Sequence, residues 1–168
     1  PGQTITYTHI VTNTGNATGT FNIGLSSSQG YPVSSSPVGS ILLNPFASDT
    51  LEVTVAIPTN ALADAVDQTY VIVTLDSDPL VTDQAQDVTS VNLITGIDIE
   101  ADERRNLLPG EVGVYTHLVT NTSNLTDTIN LSMSNSASGF NPILSPVTIN
   151  NLAPGTSQII TLAVTAPV

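Results

Sequence analysis

The chain has 168 residues, 14 of them acidic and only two basic, giving a net charge of −12. With Arg104 and Arg105 as the only cations, no basic patch can neutralise phosphates, which excludes nucleic acid and anionic membrane surfaces as partners. Cys and Lys are both absent, which rules out disulfides, thiolate metal sites and Lys-based isopeptide cross-links, and no apolar run is long enough for a membrane-spanning helix.

Helical periodicity is nearly absent, and short Thr, Val and Ile runs recur between Gly, Pro, Asn and Asp punctuation. The alternation predicts strands over 3–13, 19–27, 38–43, 49–57, 68–76 and 87–95. In the first, Tyr7, His9, Val11 and Asn13 share one face, while Thr4, Thr6, Thr8, Ile10 and Thr12 share the other. Leu51, Val53, Val55 and Ile57 form an unbroken apolar face in the fourth. The 68–76 strand carries Tyr70 and Ile72 opposite Val71, Val73 and Leu75, and reads as buried on both sides. Between these two strands, 59–67 reads as a short turn of helix capped by Thr59 or Asn60, or as an irregular crossover. Further strands are predicted over 97–102, 111–121, 127–135, 147–152 and 157–166.

The later strands echo the earlier ones. PGQTITYTHIVTNTGNATGTFNI at residue 1 returns at residue 109 as PGEVGVYTHLVTNTSNLTDTINL. After a one-residue slip, 36–58 parallels 145–167, while 59–108 has no second copy. The expectation is an all-β chain of tandem immunoglobulin-like antiparallel β-sandwiches, one near-complete and one partial repeat of about 108 residues. The first domain is placed at 1–96, with its opening strand before residue 1. The second is placed at 97–168, with its closing strands after residue 168. Either the chain is an excerpt of a longer array, or it is a subunit whose open ends are completed by neighbours in a polymer. The joint at Thr95-Gly96 has almost no linker, so the domains are expected to form a stiff rod.

The motifs PGQ…Y…VTNTGN and PGE…Y…VTNTSN, with Ala153-Pro154-Gly155 and Thr/Val strands ending in Ile57-Pro58 and Ala166-Pro167, have a family look. Nearly the whole chain resembles an Ig-like repeat of bacterial surface and secreted proteins, the type also found beside alpha-galactosidase catalytic domains. Asn44-Pro45-Phe46 departs from that family's Pro-Gly turn. The resemblance implies an extracellular, non-catalytic spacer or interaction module at the cell surface, because its motifs are turns and core positions.

Candidate sites are few. His9 and His117 read as buried, hydrogen-bonded core residues rather than metal ligands, since one His per domain is poor ligand spacing. Asn13 and Asn121 are expected to tie the turns that follow them. Calcium, if bound, is placed at Asp76, Asp78 and Asp83 around one hairpin end. Asp98, Glu100 and Asp102 form an acidic face beside the joint. Sequons put possible glycans on Asn16, Asn121, Asn124 and Asn130. No nucleophile elbow or triad spacing supports enzyme chemistry. For a glycan platform, Tyr7, Tyr70 and Tyr115 are assigned inward, leaving Tyr31, Phe46 and Phe140 as possible surface rings. The leading functional expectation is a structural module of a surface appendage, sheath or filament. Its contacts to neighbouring repeats or to copies of itself would use Ile10 and Leu118, which face away from the assigned core. The alternative is an accessory, glycan-contacting module of a secreted glycosidase or adhesin.

Overall fold

The computed structural model describes residues Pro1–Val168. Every regular element is a strand, and every pairing is antiparallel. The chain divides into two compact units, Pro1–Asn92 and Leu93–Val168. The expected division after Gly96 therefore falls inside the second unit. Thr122 N donates to Gly96 O at 3.1 Å and Asn124 N to Ile94 O at 3.1 Å, so residues 94–96 belong with the second copy.

In the first unit, β1 (Thr4–Thr12), β5 (Ser48–Ala56) and β3 (Val33–Ser36) form one sheet in the order β1-β5-β3. The facing sheet is β4-β2-β6-β7, built from Ser40–Leu43, Gly19–Ser27, Val66–Leu75 and Thr82–Ser90. The alternation read from the sequence fixes which face turns inward. Leu51, Val53 and Val55 are fully buried, and they pack with Ile41, Leu43 and Val71 or with Tyr31, Ile57 and Val91. Burying such side chains contributes about 1.5–3 kcal/mol each, which drives the two layers together.

The second unit repeats this pairing. Its strands are β8 (Ile97–Glu100), β9 (Val112–Asn121), β10 (Asp127–Asn130), β11 (Asn141–Ser145), β12 (Thr148–Leu152) and β13 (Ser157–Thr165). They form sheets β11-β13-β9-β8 and β10-β12. Thr4↔Ala56 and Thr12↔Ser48 on β1–β5 recur as Val112↔Thr165 and Thr120↔Ser157 on β9–β13, the same register after the slip. Val119, Ile149, Leu152 and Ile160 form its core.

Several expectations are corrected. Of the two readings of 59–67, the irregular crossover holds and the turn of helix does not: turns lie at 59–60 and 63–64, and β6 begins at Val66. The strand predicted at 87–95 lies at Thr82–Ser90, and β3 and β11 were not foreseen. β6 is central in its sheet but not buried on both faces, since Ile72 is 39 % exposed.

The turn after β4 holds a non-glycine residue in the left-handed region. Ala47 N donates to Asn44 O at 3.1 Å, with Pro45 and Phe46 as the central pair, and Phe46 has φ 59°. The matching turn of the second unit closes with Thr156 N to Ala153 O at 3.1 Å and places Gly155 at φ 67°. A turn of this kind needs the left-handed region at its third residue, where a non-glycine side chain costs about 1–2 kcal/mol. Glycine's extra unfolded-state entropy offsets about 0.5–1 kcal/mol of any relief. Phe46→Gly is therefore expected to stabilise the first unit by about 0.5–1 kcal/mol, read as a raised urea midpoint. A lowered midpoint would mean that the exposed ring makes a contact of its own.

Candidate functional site

Three polar features organise the region where a partner could act. The first is a buried amide at the end of β1 in the first unit and of β9 in the second. Asn13 Nδ2 donates to Ala17 O (2.9 Å), Leu43 O (3.1 Å) and Asn44 O (3.2 Å), and its Oδ1 accepts from Gly15 N (2.9 Å). Asn121 repeats the arrangement, with Nδ2 to Leu125 O and Leu152 O at 2.8 Å each and Oδ1 accepting from Ser123 N at 2.9 Å. The expectation that these asparagines tie their turns is met. The amide also reaches the second sheet through the Leu43 and Leu152 carbonyls.

The second feature closes one side of the first unit. Tyr7 Oη donates to Val88 O at 3.0 Å and lies 2.7 Å from Thr89 Oγ1, while His9 Nε2 lies 2.9 Å from Asp87 Oδ2. β1 and β7 edge opposite sheets, so these side chains join the layers. Sequence spacing could not foresee Asp87 as the partner of His9, because 78 residues separate them. In the second unit His117 Nδ1 instead donates to Ala101 O at 2.8 Å, and Arg105 stacks 5.4 Å from the Tyr115 ring centre. Glu103, hydrogen-bonded by Thr116 N and paired with Arg105, is held below the usual carboxylate range.

The third is Asp67, which sequence reasoning passed over. It is fully buried, and its Oδ1 accepts from Ser27 Oγ (2.5 Å), Gln29 N (2.9 Å) and Ser28 Oγ (3.4 Å) while Oδ2 accepts from Thr69 Oγ1 (2.6 Å). Burial pushes its pKa up, but the bonds from Ser27, Thr69, Gln29 and Ser28 together outweigh it, and the net shift is downward. The available signal was parity: Asp67 lies two and four residues before the inward Thr69 and Val71.

Beside the Tyr7–His9 closure, β1 and β7 part. They leave a groove of about 540 Å³ floored by Val11, Phe21, Leu51, Val71, Val73 and Leu75. On its rim β1 has a free edge, since it pairs only with β5.

The sequence-predicted sites fall differently. Asp76 Oδ1 accepts from Asn22 Nδ2 (2.8 Å), Asp78 Oδ1 from Leu80 N (3.1 Å) and Asp83 Oδ1 from Gln84 N (2.9 Å). Asp78 and Asp83 serve their own backbone neighbours while Asp76 bonds Asn22 on β2, and no group of three acidic or His side chains converges as a metal cage would need. Asp98 and Glu100 lie on β8, whereas Asp102 lies beyond it. Asn121 and Asn124 are 1 % and 7 % exposed, and Asn121 commits its amide nitrogen to two carbonyls, so neither can carry a glycan in this fold. Asn16 and Asn130 are exposed. Ile10 is 74 % and Leu118 38 % exposed. The ring assignments are exchanged: Tyr31 is core, while Tyr70 shares the outer face of β6 with Gln68 and Ile72. Phe46 is 71 % and Phe140 39 % exposed.

No family model matches the chain, and no curated protein does. Among solved structures it is similar to the YadV chaperone, with TM-score 0.37 and 11% identity over 94% of this chain and 77% of that one. It is also similar to the secreted serine protease VesC from Vibrio cholerae, with TM-score 0.33 and 15% identity over 96% of this chain and 43% of that one. Likenesses this distant carry no functional argument.

Two outcomes follow. Removing the Asp67 carboxylate leaves buried donors unmet, so Asp67→Ala is expected to cost the first unit about 2–4 kcal/mol in urea unfolding, and Asp67→Asn less. The stability held by Asp67 is fully present above its ordinary value of 3.8 and is lost as pH falls through the lower folded value. Asp67→Asn should therefore flatten the fall of stability at pH below 3.8. In calorimetry, calcium against chelator is expected to move the melting temperature by less than about 1 °C, because a ligand stabilises only through a site in the native state. A larger shift, lost in Asp78→Asn, would restore the hairpin as a site.

Proposed function

We propose that the chain is a non-catalytic structural module of an extracellular surface appendage, sheath or filament, acting through β-sandwich repeats joined with little slack. The observation that carries this reading is the connection. Residues 91–96 alone separate β7 of the first unit from β8, the first strand of the second, which pairs with β9. Connectors this short have little conformational freedom. The repeated register of β1–β5 and β9–β13 supports the same reading, as does an acidic, hydroxyl-rich surface that favours solubility outside the cell. The resemblance to Ig-like repeats of bacterial surface proteins belongs here, with neighbouring repeats or further copies as partners.

A second reading, a glycan-contacting module of a secreted enzyme or adhesin, is favoured by one feature. Phe46 holds an exposed ring in a strained conformation that glycine would adopt freely. Electron microscopy of the purified protein separates the two. Extended filaments are expected. Isolated particles, together with micromolar binding on a glycan array that is lost in Phe46→Ala or Phe140→Ala, would overturn the structural reading.

A further inference from the structure

The solvent side of the β4-β2-β6-β7 sheet carries no acidic residue at any strand position, in a chain with 14 acids against two bases. The register sets its rows. Ser26, Tyr70 and Gln86 stand side by side, and Gly24, Ile72 and Gln84 form the next row. Asp76, beyond the end of β6, is turned onto Asn22 at the rim. β7 shows the arrangement most plainly. Its charges would ordinarily face water, but Asp83 and Asp87 alternate onto the side of Ala85 and Thr89, while Gln84 and Gln86 take the solvent side. Charges turned this way guard a sheet edge against edge-on pairing and leave the face as the place for contact. The other sheet differs, since Glu52 stands on the outer side of its central strand between Thr8 and Ser36.

A second observation marks the same place. Gly24 lies within β2 without a positive φ, and a Cβ there would meet only Ile72, at an ordinary 3.8 Å. Neither the backbone nor the packing of the unit calls for glycine at this position. A glycine inside a strand weakens it and often marks where another molecule comes close. The bare backbone leaves a notch beside Ile72, which is 39 % exposed, and Val88 beyond Gln86 is 54 % exposed. Tyr70 Oη donates to Gln68 Oε1 at 2.8 Å, which fixes the ring on this surface.

We propose that this face is a side-by-side contact between two copies of the chain, each presenting the same surface to the other. Charge selects the occupant. At −12 per chain, copies repel wherever acids meet, and on this side they come together without opposed carboxylates. The polar groups are self-complementary: Gln, Tyr and Ser side chains both donate and accept, whereas carboxylates only accept. A two-fold contact requires a patch that matches itself, and Ile72 of each copy fills the notch at Gly24 of the other. Four strands about 4.8 Å apart and up to about 30 Å long give roughly 500 Å² per copy and about 1,000 Å² for the pair, the lower bound of a specific interface and the size of a reversible one. The proposal rests on the structural reading above and gives it a lateral contact, separate from the covalent connection between repeats.

Sedimentation equilibrium of the intact 168-residue chain tests it. A reversible monomer–dimer equilibrium is expected. Its association constant should rise at least about threefold as ionic strength goes from about 0.01 M to about 0.15 M, because the screening length falls from about 30 Å to about 8 Å. Gln84→Glu with Gln86→Glu sets like charges against each other across the pair and should weaken association at least about tenfold. Both positions are exposed, so the fold is kept, and an unchanged urea midpoint shows it. Thr4→Glu with Thr6→Glu adds the same two charges to the outer face of the other sheet and should leave the constant within about twofold at about 0.15 M. A chain that stays monomeric, an association that weakens with salt, or equal losses in both variants would overturn the proposal. So would glycan-array binding by a monomeric chain that Gln84→Glu with Gln86→Glu abolishes, which would assign the face to a sugar. Microscopy keeps the two readings apart. Filaments unchanged in the Gln84→Glu, Gln86→Glu chain would sink this contact alone, and a salt-strengthened pair without filaments would sink only the structural role.

Discussion

A buried side-chain amide sets the geometry on which the rest of each unit depends. Asn13 ends β1 in one sheet and donates to carbonyls at the end of β4 in the other, while its oxygen shapes the turn that follows. Its replacement by an apolar residue would strand several buried backbone groups, each at a cost of about 1–3 kcal/mol. Through this one residue the layers are joined and the first turn is given a fixed shape. The turn then holds Thr14 and Asn16 at the free edge. In the second unit Asn121 does the same work, and there Thr122 and Asn124 already grip the Gly96 and Ile94 backbone.

Polar groups also decide where the sandwich is closed and where it is open. Tyr7 and His9 reach across to Val88, Thr89 and Asp87, and Asp67 gathers the turn that carries Ser27 to Gln29. Past His9 no such bridge exists between the edges, and the core is reached through the groove.

Much of this was legible from residue order. Strict alternation over β1 and β5 gave the inward faces, because one buried side and one wet side leave no other register. The repeat gave the equivalence of Asn13 and Asn121. What failed failed for physical reasons. β7 is an edge strand of Asp, Gln and Thr with only Ala85 and Val88 as apolar signals, so the Val and Leu residues at 88–93 drew the expected strand downstream. β3 is nearly all serine and β11 contains a proline, and both pair only because a neighbouring strand offers its edge. Tyr31 follows Gly30 at φ 70°, a backbone turn that carries the ring into the core beside Val55 and Ile57; no local pattern encodes that swing. Asp67 broke the rule that carboxylates face water, and what makes it tolerable is the Thr69 hydroxyl beside it together with the Ser27 and Ser28 hydroxyls and the Gln29 N–H of a distant turn.

The bridge at Tyr7 and His9 has a consequence for how the first unit yields. These side chains tie the outermost strands of the two layers, at Val88 and Asp87, so loosening either strand costs bonds to the other layer. The two rims of the sandwich therefore give way together instead of one at a time.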